Sequence, residues 1–254
     1  MKLDNTFKLD NNICELPSYY NNQPAKFHLY KNCIISDCIR RGYRWEEHQH
    51  EIAIEHIKSN SIVMEVGAHI GTLTIVLSKL AKKVYTFEPL PNSFDLLVKN
   101  LQLNNCTNVI ASNQGISDKI GETTIEWIGD NNSGATVLKG GSVKTNDFPK
   151  LDNKIDLITI DSLCLDKLDY LKIDVEGFEE NVLRGGLETI KKCQPIIIME
   201  CMEDYYKGTI IKNETLESRF KQLLDMGYAY KNLAAINKNN NVWDVLFLPK
   251  TKNI

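Results

Sequence analysis

The sequence predicts an α/β protein with a doubly wound, mostly parallel sheet of seven strands and an antiparallel edge strand. Short apolar runs alternate with amphipathic segments from residue 45 onward, as in chains that cross repeatedly from strand to helix. A glycine-rich turn joins the first of these runs to the next helix. The last two runs flank an Asn-rich turn at 237–241, which predicts a closing hairpin that adds the antiparallel strand at one edge of the sheet.

The predicted elements follow one another in a regular order. Strands are expected at 61–66, 83–87, 108–112, 170–175, 196–200, 228–233 and 242–248, with an edge strand at 122–127. Helices are expected at 46–58, 70–80, 92–103 (capped by Asn92), 179–190 and 216–226. Their apolar residues recur at helical spacing, so that one face of each helix can pack on the sheet. Residues 130–154 form a polar insert rich in Gly and Asn.

We expect the first 44 residues to form an N-terminal extension that packs on a domain of residues 45–254. Pro17, Pro24 and two Asn pairs interrupt this stretch, so only short strands at 26–30 and 33–35 are expected. Neither a repeat nor a Pro-rich linker divides the remaining residues, whose number suits one α/β domain.

The composition is that of a globular protein. Hydrophobic residues make up 43% and charged residues 25%, which excludes a mostly disordered chain. The 30 Lys+Arg and 33 Asp+Glu leave a net charge of −3, so bulk charge gives no strong nucleic-acid signal. The seven cysteines include no Cys-x-x-Cys pair, and the sequence has neither a membrane span nor a signal peptide. We therefore expect a cytoplasmic protein, with an oligomeric state that the sequence does not specify.

The strongest motif is Glu65-Val-Gly-Ala-His-Ile-Gly71, at the turn from the first predicted strand into a helix. Gly67 and Ala68 let the backbone approach a ligand, and Gly71 permits tight packing of the helix. The Gly-x-x-x-Gly spacing lacks the middle glycine of a dinucleotide fingerprint. An acid beside the turn suits a cationic ligand, and S-adenosylmethionine carries both an ammonium and a sulfonium group. His69 can contact the cofactor or the acceptor, or serve as a capping side chain.

Two further features follow the next two predicted strands. Glu88 ends the second strand, where a carboxylate can accept both hydroxyl groups of a ribose; an exposed acid at a helix start is the plainer alternative. The run 113–115 follows the third strand, where its backbone and amide groups can form hydrogen bonds with the edge of an adenine ring. The predicted cofactor-binding residues are Glu65, Gly67, Ala68, His69, Gly71, Glu88, Asn113, Gln114 and Gly115.

Five groups of motifs occur in order along the chain. They are Trp45-Glu46, the turn from Glu65 to Gly71, Phe87-Glu-Pro89, Gly115-Ile-Ser-Asp118 with Gly121, and Leu171-Lys-Ile-Asp-Val-Glu-Gly-Phe-Glu179 with Leu183-Arg-Gly-Gly186. From about residue 45 to 249 the chain resembles the FkbM-type family of class I S-adenosylmethionine-dependent methyltransferases, although His69 stands where the family commonly has Asn. The resemblance implies a Rossmann-like fold, S-adenosylmethionine as cofactor and O-methyl transfer to a small-molecule or carbohydrate acceptor. A sugar or glycan-linked hydroxyl is the first choice of acceptor.

The candidate catalytic residues are Lys172, Asp174 and Glu176, at the end of the predicted strand 170–175. Ligands of open α/β sheets bind at this end of the strands, and Glu200 ends the next strand. Three interpretations stay open. Asp174 or Glu176 acts as a general base with a pKa raised by burial; both gather a divalent cation with Glu200; or the acids hold loops while Lys172 serves as an ion partner. A metal is not among the predicted ligands.

The histidines at 48, 50 and 56 lack the helical spacing of a metal site, so a solvated or cleft-edge helix face is expected for them. Glu179 is expected to cap its helix. Two other kinds of protein remain as alternatives. One is an NAD-dependent dehydrogenase, which the glycine spacing disfavours; the other is a non-catalytic subunit that binds a nucleoside cofactor.

Overall fold

The computed structural model describes residues 8–128, 133–139, 154–202, 220–233 and 242–250. In chain order the elements are β1 (Leu9–Tyr20), β2 (Gln23–Tyr30), α1 (Ile34–Arg40), α2 (Glu47–His56), β3 (Ile62–Val66), α3 (Thr72–Leu80), β4 (Lys83–Phe87), α4 (Pro91–Leu103), β5 (Val109–Ser112), β6 (Gly115–Ile116), β7 (Gly121–Ile128), β8 (Thr136–Leu138), β9 (Lys154–Ile158), β10 (Tyr170–Ile173), α5 (Glu179–Arg184), α6 (Leu187–Cys193), β11 (Ile196–Met202), α7 (Lys221–Asp225), β12 (Tyr228–Asn232) and β13 (Val242–Pro249). Among the described residues, no helix is long and apolar enough to cross a membrane.

A sheet with the strand order β12-β13-β11-β10-β3-β4-β5 lies at the centre of the protein. The five strands from β11 to β5 are parallel to one another, which confirms a mixed sheet with a parallel core. Strand β10 is buried at all its positions and β3 at all but the first, as expected for strands covered on both faces. Lys172 and Glu65 are the charged residues of these two strands, and they lie opposite each other in the register.

The predicted antiparallel edge strand is wrong in one respect. The antiparallel strand is β13, which pairs with β11 on one side and β12 on the other, so that β12 forms the edge. The burial of the two strands explains this order. Residues 244–247 of β13 are buried without alternation, whereas β12 is buried only at its first residue. A strand buried on both faces belongs inside a sheet.

Two predicted helices differ in detail. The helix expected at 179–190 is broken into α5 and α6 at Gly185 and Gly186. A Cβ atom on Gly185 would lie 1.9 Å from the carbonyl oxygen of Ser117, so the chain passes too close to a neighbouring loop for any other residue. Helix α4 begins at Pro91 after Leu90, and Asn92 does not cap it. Proline suits this first helical position because its fixed φ matches the helix.

The N-terminal stretch is more regular than predicted. Strands β1 and β2 form an antiparallel hairpin whose turn, Asn21 and Asn22, has positive φ angles of 48° and 58°. Asparagine tolerates this conformation better than most residues, so the Asn pair makes a hairpin turn rather than an irregular segment. The strand expected at 33–35 is wrong, because helix α1 begins at Ile34. Buried residues of both strands join the core under α3 and α4.

Strands β6, β9, β7 and β8 form a second sheet in that order. The segment 122–127, expected at an edge, lies in β7 between β9 and β8, and strand β9 was not predicted. Apolar and charged residues alternate in β9, which is the sequence signal of a strand. The signal was missed because the charged residues of β9 continue the polar composition of the insert before it. The turn at 237–241, most of the insert at 130–154 and the start of the helix at 216–226 lie outside the described residues.

Candidate active site

A cleft opens at the carboxyl ends of β3, β4, β10 and β11, the edge at which open α/β sheets bind ligands. Two adjoining cavities of about 630 and 460 Å³ form it, with the open solvent at their mouths included. The residues that line both are Gly67, Glu88, Gly134, Asp174 and Glu176. The larger cavity is also lined by Glu46, Glu65, Ala68, His69, Lys172 and Glu200, and the smaller one by Gln114 and Gly115. The cleft thus brings together all three candidate catalytic residues and most of the predicted cofactor residues.

The glycine turn is shaped by a contact within the chain. Gly67 has a φ of +86°, and a Cβ atom on it would lie 1.7 Å from the carbonyl oxygen of Asp174. Glycine is therefore required for the turn to pass beside the end of β10, a reason that the sequence analysis did not contain. Gly71, with a φ of +88°, precedes α3, and its absent side chain leaves room for Leu97 of α4. This second contact agrees with the expected tight packing.

Glu65 is buried in the sheet beside this turn, with 1% of its surface exposed. Its Oε2 accepts hydrogen bonds from Thr74 Oγ1 at 2.6 Å and from Thr86 Oγ1 at 2.9 Å. Burial raises the pKa of Glu65, while Lys172 and the two hydroxyl groups oppose the rise. The carboxylate is therefore fixed by α3 and β4 where it borders the larger cavity.

Glu88 is oriented by backbone groups at the junction of the two cavities. Its Oε2 accepts the N–H of His69 at 2.8 Å, and its Oε1 accepts the N–H of Leu90 at 2.9 Å. Burial raises the pKa of Glu88 to about 7, and the two hydrogen bonds oppose the rise. Each carboxylate oxygen has a second lone pair for a ligand. The alternative of an exposed acid at a helix start is wrong, because only 5% of Glu88 is exposed.

The run 113–115 divides between two roles. The side-chain amide of Asn113 donates hydrogen bonds to the carbonyl oxygens of Glu88 and Pro89, at 2.8 and 3.1 Å, and so holds the loop after β4. Gln114 and Gly115 line the smaller cavity, whereas Asn113 lies outside the described lining of both. Contact with a cofactor stays a prediction for all three residues.

Lys172 and Asp174 point the same way, as predicted, and form a largely buried ion pair. Lys172 Nζ lies 3.0 Å from Asp174 Oδ2 and donates a second hydrogen bond to the carbonyl oxygen of Gly67 at 3.1 Å. The pKa of Lys172 is raised by Asp174, Glu46 and Glu65, which outweigh the effect of burial. The lysine therefore stays charged, and it ties the glycine turn to the end of β10.

Asp174, Glu176 and Glu200 each offer a carboxylate oxygen within 4.8 Å of the others. Burial and the charge of Asp174 raise the pKa values of both Glu176 and Glu200 well above their ordinary value. Glu200 Oε2 is buried and has no hydrogen-bond partner among the described residues. Glu179, the expected cap, accepts the N–H of Gly177 at 3.0 Å and so steadies the loop that carries Glu176.

Glu46 is a site residue that the sequence analysis did not assign. It precedes α2 in a left-handed conformation and lines the larger cavity beside Trp45. Burial and Asp174 together raise the pKa of Glu46 to about 7. The motif Trp45-Glu46 was a signal for it, but only the folded chain brings α2 to the end of β10.

The histidines take three different positions. His69 lines the larger cavity, and its Nε2 lies 2.5 Å from Ser133 Oγ. His48 Nε2 lies 2.5 Å from Oδ2 of the fully buried Asp244. The solvated or cleft-edge face expected for His50 is wrong, because this side chain is 1% exposed and packs edge-on against Tyr19.

The arrangement has two chemical capacities. Glu88 presents a carboxylate between the cavities, with its oxygens directed by backbone N–H groups. Nearby, burial and the charge of Asp174 raise the pKa values of Glu176 and Glu200, so these two acids hold a proton more tightly than exposed carboxyl groups do. A sequence comparison identifies the family: the model of the methyltransferase FkbM domain matches residues 65–230.

The chain belongs to the FkbM methyltransferase family. The match covers the glycine turn, Glu88 and the run from Lys172 to Glu179, so the resemblance seen in the sequence is confirmed. Hexuronic acid methyltransferase AglP of Haloferax volcanii is 28% identical over 161 residues, which are 62% of this chain and 63% of AglP. Methyltransferase sdnD of Sordaria araneosa is 25% identical over 169 residues, 55% of this chain and 64% of that protein. The matches thus span a little under two thirds of each of these relatives.

A solved structure supports the fold of this member of the FkbM family. The crystal structure of methyltransferase FkbM from Methylobacillus flagellatus KT superposes with a TM-score of 0.52 at 16% identity. The superposition covers 75% of this chain and 44% of the other. The two proteins therefore share the methyltransferase fold.

Proposed function

We propose that this chain is an S-adenosylmethionine-dependent O-methyltransferase that acts on a sugar or glycan-linked hydroxyl, on a doubly wound class I fold. One observation carries the proposal: Glu88, oriented by backbone N–H groups, borders the same cleft as Asp174 and Glu176. A carboxylate suited to a ribose diol thus lies beside acids suited to take a hydroxyl proton. The AglP relative, whose name specifies a hexuronic acid, supports a sugar as the acceptor.

The residues of the two cavities fit the parts of S-adenosylmethionine. The smaller cavity has apolar walls from Phe87, Ile116, Leu138 and Phe178, which suit an adenine ring, and Glu88 lies where this cavity meets the larger one. The larger cavity offers Glu65 and Lys172 to the charged methionine end. When bound there, the cofactor supplies a methyl group on a sulfonium, which an attacking oxygen can accept.

The chain's own residues position the acceptor and receive its proton. Asp174 is held by Lys172, so it is suited to orient a hydroxyl group by accepting its hydrogen bond. Glu176 lines both cavities, and burial and the charge of Asp174 raise its pKa, so it binds a proton more readily than an exposed carboxylate and is the proposed acceptor of the hydroxyl proton. This division of roles does not require a divalent cation.

The remaining expectations belong to the same proposal. Residues 1–44 form an extension of a domain at 45–254, and in support of this Tyr19 donates a hydrogen bond to the carbonyl oxygen of Thr72 at the start of α3. Ile35 of the same stretch lines the larger cavity. The acceptor is a small molecule or a carbohydrate rather than a nucleic acid, and we propose that the protein acts in the cytoplasm.

Titration calorimetry with S-adenosylhomocysteine and with NAD tests the proposal, followed by transfer of labelled methyl from S-adenosylmethionine to a panel of sugars. We expect S-adenosylhomocysteine to bind and NAD to give no binding heat. We expect the labelled methyl group to be transferred to a sugar as a methyl ether. NAD binding in place of S-adenosylhomocysteine would favour the dehydrogenase. Cofactor binding without transfer to any acceptor would favour a non-catalytic subunit.

A further inference from the structure

The larger cavity carries a strong surplus of acids. Among its described lining residues, one lysine faces six carboxyl groups, those of Glu46, Glu65, Glu88, Asp174, Glu176 and Glu200. Lys172 is already engaged, because its Nζ binds Asp174 Oδ2 and the carbonyl oxygen of Gly67. Because the proposed function assigns Lys172 to the methionine end of the cofactor, the described lining offers a carboxylate on the acceptor no further cation.

The acids differ in what the protein itself provides for them. Threonine hydroxyl groups bind Glu65, backbone N–H groups bind Glu88, and Lys172 binds Asp174. Glu200 differs, since its Oε2 is buried in the lining and no described residue forms a hydrogen bond with it. A buried polar atom of this kind normally has a partner, so we infer that this oxygen can accept a hydrogen bond from a ligand in the cavity.

The register of the sheet adds to the negative charge behind Glu200. Glu200 on β11 lies directly opposite Asp244 on β13. Asp244 is fully buried and lies 2.5 Å from His48 Nε2, yet its charge still contributes to the raised pKa of Glu200. Like charges directly opposite each other on adjacent strands repel. An ammonium or hydroxyl group of a ligand would relieve this repulsion, whereas a ligand carboxylate would add to it.

We propose that the acceptor carries no carboxylate and presents hydrogen-bond donors, preferably a protonated amine, to Glu176 and Glu200. This inference rests on the proposed function. An amino sugar is the class that fits best, a neutral sugar comes next, and a uronic acid is excluded. The raised pKa values of Glu176 and Glu200 are consistent with a cationic ligand, because they arise from burial and from the charge of Asp174. A bound cation would lower these pKa values and a bound anion would raise them further.

Matched methyl glycosides test the charge preference directly. Protein saturated with S-adenosylhomocysteine, in buffer with EDTA, is titrated with methyl glucosaminide, methyl glucoside and methyl glucuronide while binding is followed by saturation-transfer NMR. We expect the glucosaminide to bind at least about tenfold more tightly than the glucuronide, a difference that one close charge interaction can supply. Glucuronide binding that equals or exceeds glucosaminide binding would overturn the inference, as would the absence of glucosaminide binding.

A variant pair assigns the preference to the proposed residues. Glu200→Gln should reduce the ratio of glucosaminide to glucoside affinity by about threefold or more and leave the affinity for S-adenosylhomocysteine unchanged. The exposed Glu122→Gln, on β7 of the second sheet, should change neither quantity. If Glu200→Gln does not fold, Glu176→Gln serves in its place. An unchanged ratio in the folded variant would contradict the assignment.

Two further outcomes separate the inference from its foundation. If wild-type protein does not bind S-adenosylhomocysteine, the proposed function fails. If it binds the cofactor product but binds the glucuronide best, only the inference fails. Glucuronide binding that appears on replacing EDTA with Mg²⁺ would likewise overturn it, because the three acids would then hold a metal ion.

Discussion

The carbonyl oxygen of Asp174 occupies the space in which any residue other than glycine at position 67 would place its Cβ atom, 1.7 Å from that atom's ideal position. Lys172 Nζ reinforces the contact by bonding both the Gly67 carbonyl oxygen and the Asp174 carboxylate. The glycine turn and the acidic run after β10 are therefore one structural unit. A change at Gly67 should act on this unit before it acts on any ligand.

Gly67→Ala should lower the free energy of unfolding by about 2–5 kcal/mol, the sum of left-handed strain and overpacking against backbone. Urea unfolding measures this loss. Gly42→Ala is the matched control, because Gly42 has nearly the same φ of +90° with nothing within 4 Å of its added Cβ. The control should lose only about 1–2 kcal/mol. Equal losses in the two variants would show that the turn moves away from β10 without cost.

The elements of the parallel core could be predicted because their signals are local. Strands β3 and β10 are short apolar runs, and the turn at Gly67 follows directly from β3. The place of β13 inside the sheet could not be predicted, since it depends on pairing with β11 across a long stretch of chain. The hairpin β1–β2 was missed because its Asn-Asn turn also fits an irregular segment.

The site residues that could be predicted follow the strands that form the cleft, as Glu88 and Asp174 do. Glu46 was missed because it reaches the cleft from a helix remote in sequence. Asn113 is the opposite case, a residue predicted to contact the cofactor whose amide group instead binds the backbone after β4. A sequence indicates which polar groups an edge holds, whereas the partner that each group binds depends on the folded geometry.

Glu88→Gln should weaken S-adenosylhomocysteine binding by roughly 1.5–3 kcal/mol, the range for loss of charge-assisted hydrogen bonds. Both carboxylate oxygens of Glu88 accept backbone N–H groups, so the amide nitrogen of glutamine must face one of these donors. Calorimetry measures the affinity, and a melting curve shows whether the variant is folded. Glu122→Gln, at an exposed carboxylate, should keep the wild-type affinity. Unchanged affinity in folded Glu88→Gln would refute the assignment of the ribose site.

Glu46→Gln should stabilise the protein at pH 8 by about 1–3 kcal/mol and leave its stability at pH 4.5 nearly unchanged. The pKa of Glu46 rises on folding from its ordinary 4.5 to about 7, so the folded chain binds this proton more tightly than the unfolded chain. The resulting stability is complete below pH 4.5 and is lost as the pH rises to about 7. Glutamine does not ionise and removes this loss.

Urea unfolding across this pH range measures the effect. Glu55→Gln, at an exposed position of the same helix, should follow the wild-type curve at every pH. A Glu46→Gln curve that runs parallel to the wild-type curve would show that Glu46 is no more buried in the folded protein than in the unfolded chain.

The last prediction separates the roles of Asp174 and Glu176. Glu176→Gln should retain cofactor affinity and lose about 10²–10⁴ in the rate of methyl transfer, the usual contribution of a general base. Asp174→Asn should instead lower stability, because it leaves the buried charge of Lys172 without its 3.0 Å partner, a loss of about 3–5 kcal/mol when such a pair is broken. Single-turnover transfer at saturating S-adenosylmethionine, to the best acceptor of the sugar panel, measures the first effect, and a melting curve measures the second. Because Glu176 and Glu200 are close enough to share a cation with Asp174, each rate is measured with and without EDTA. A rate that falls with EDTA and returns with Mg²⁺ would assign the acids to a metal, whereas stable variants with wild-type rates would leave the positioning of the acceptor as the source of catalysis.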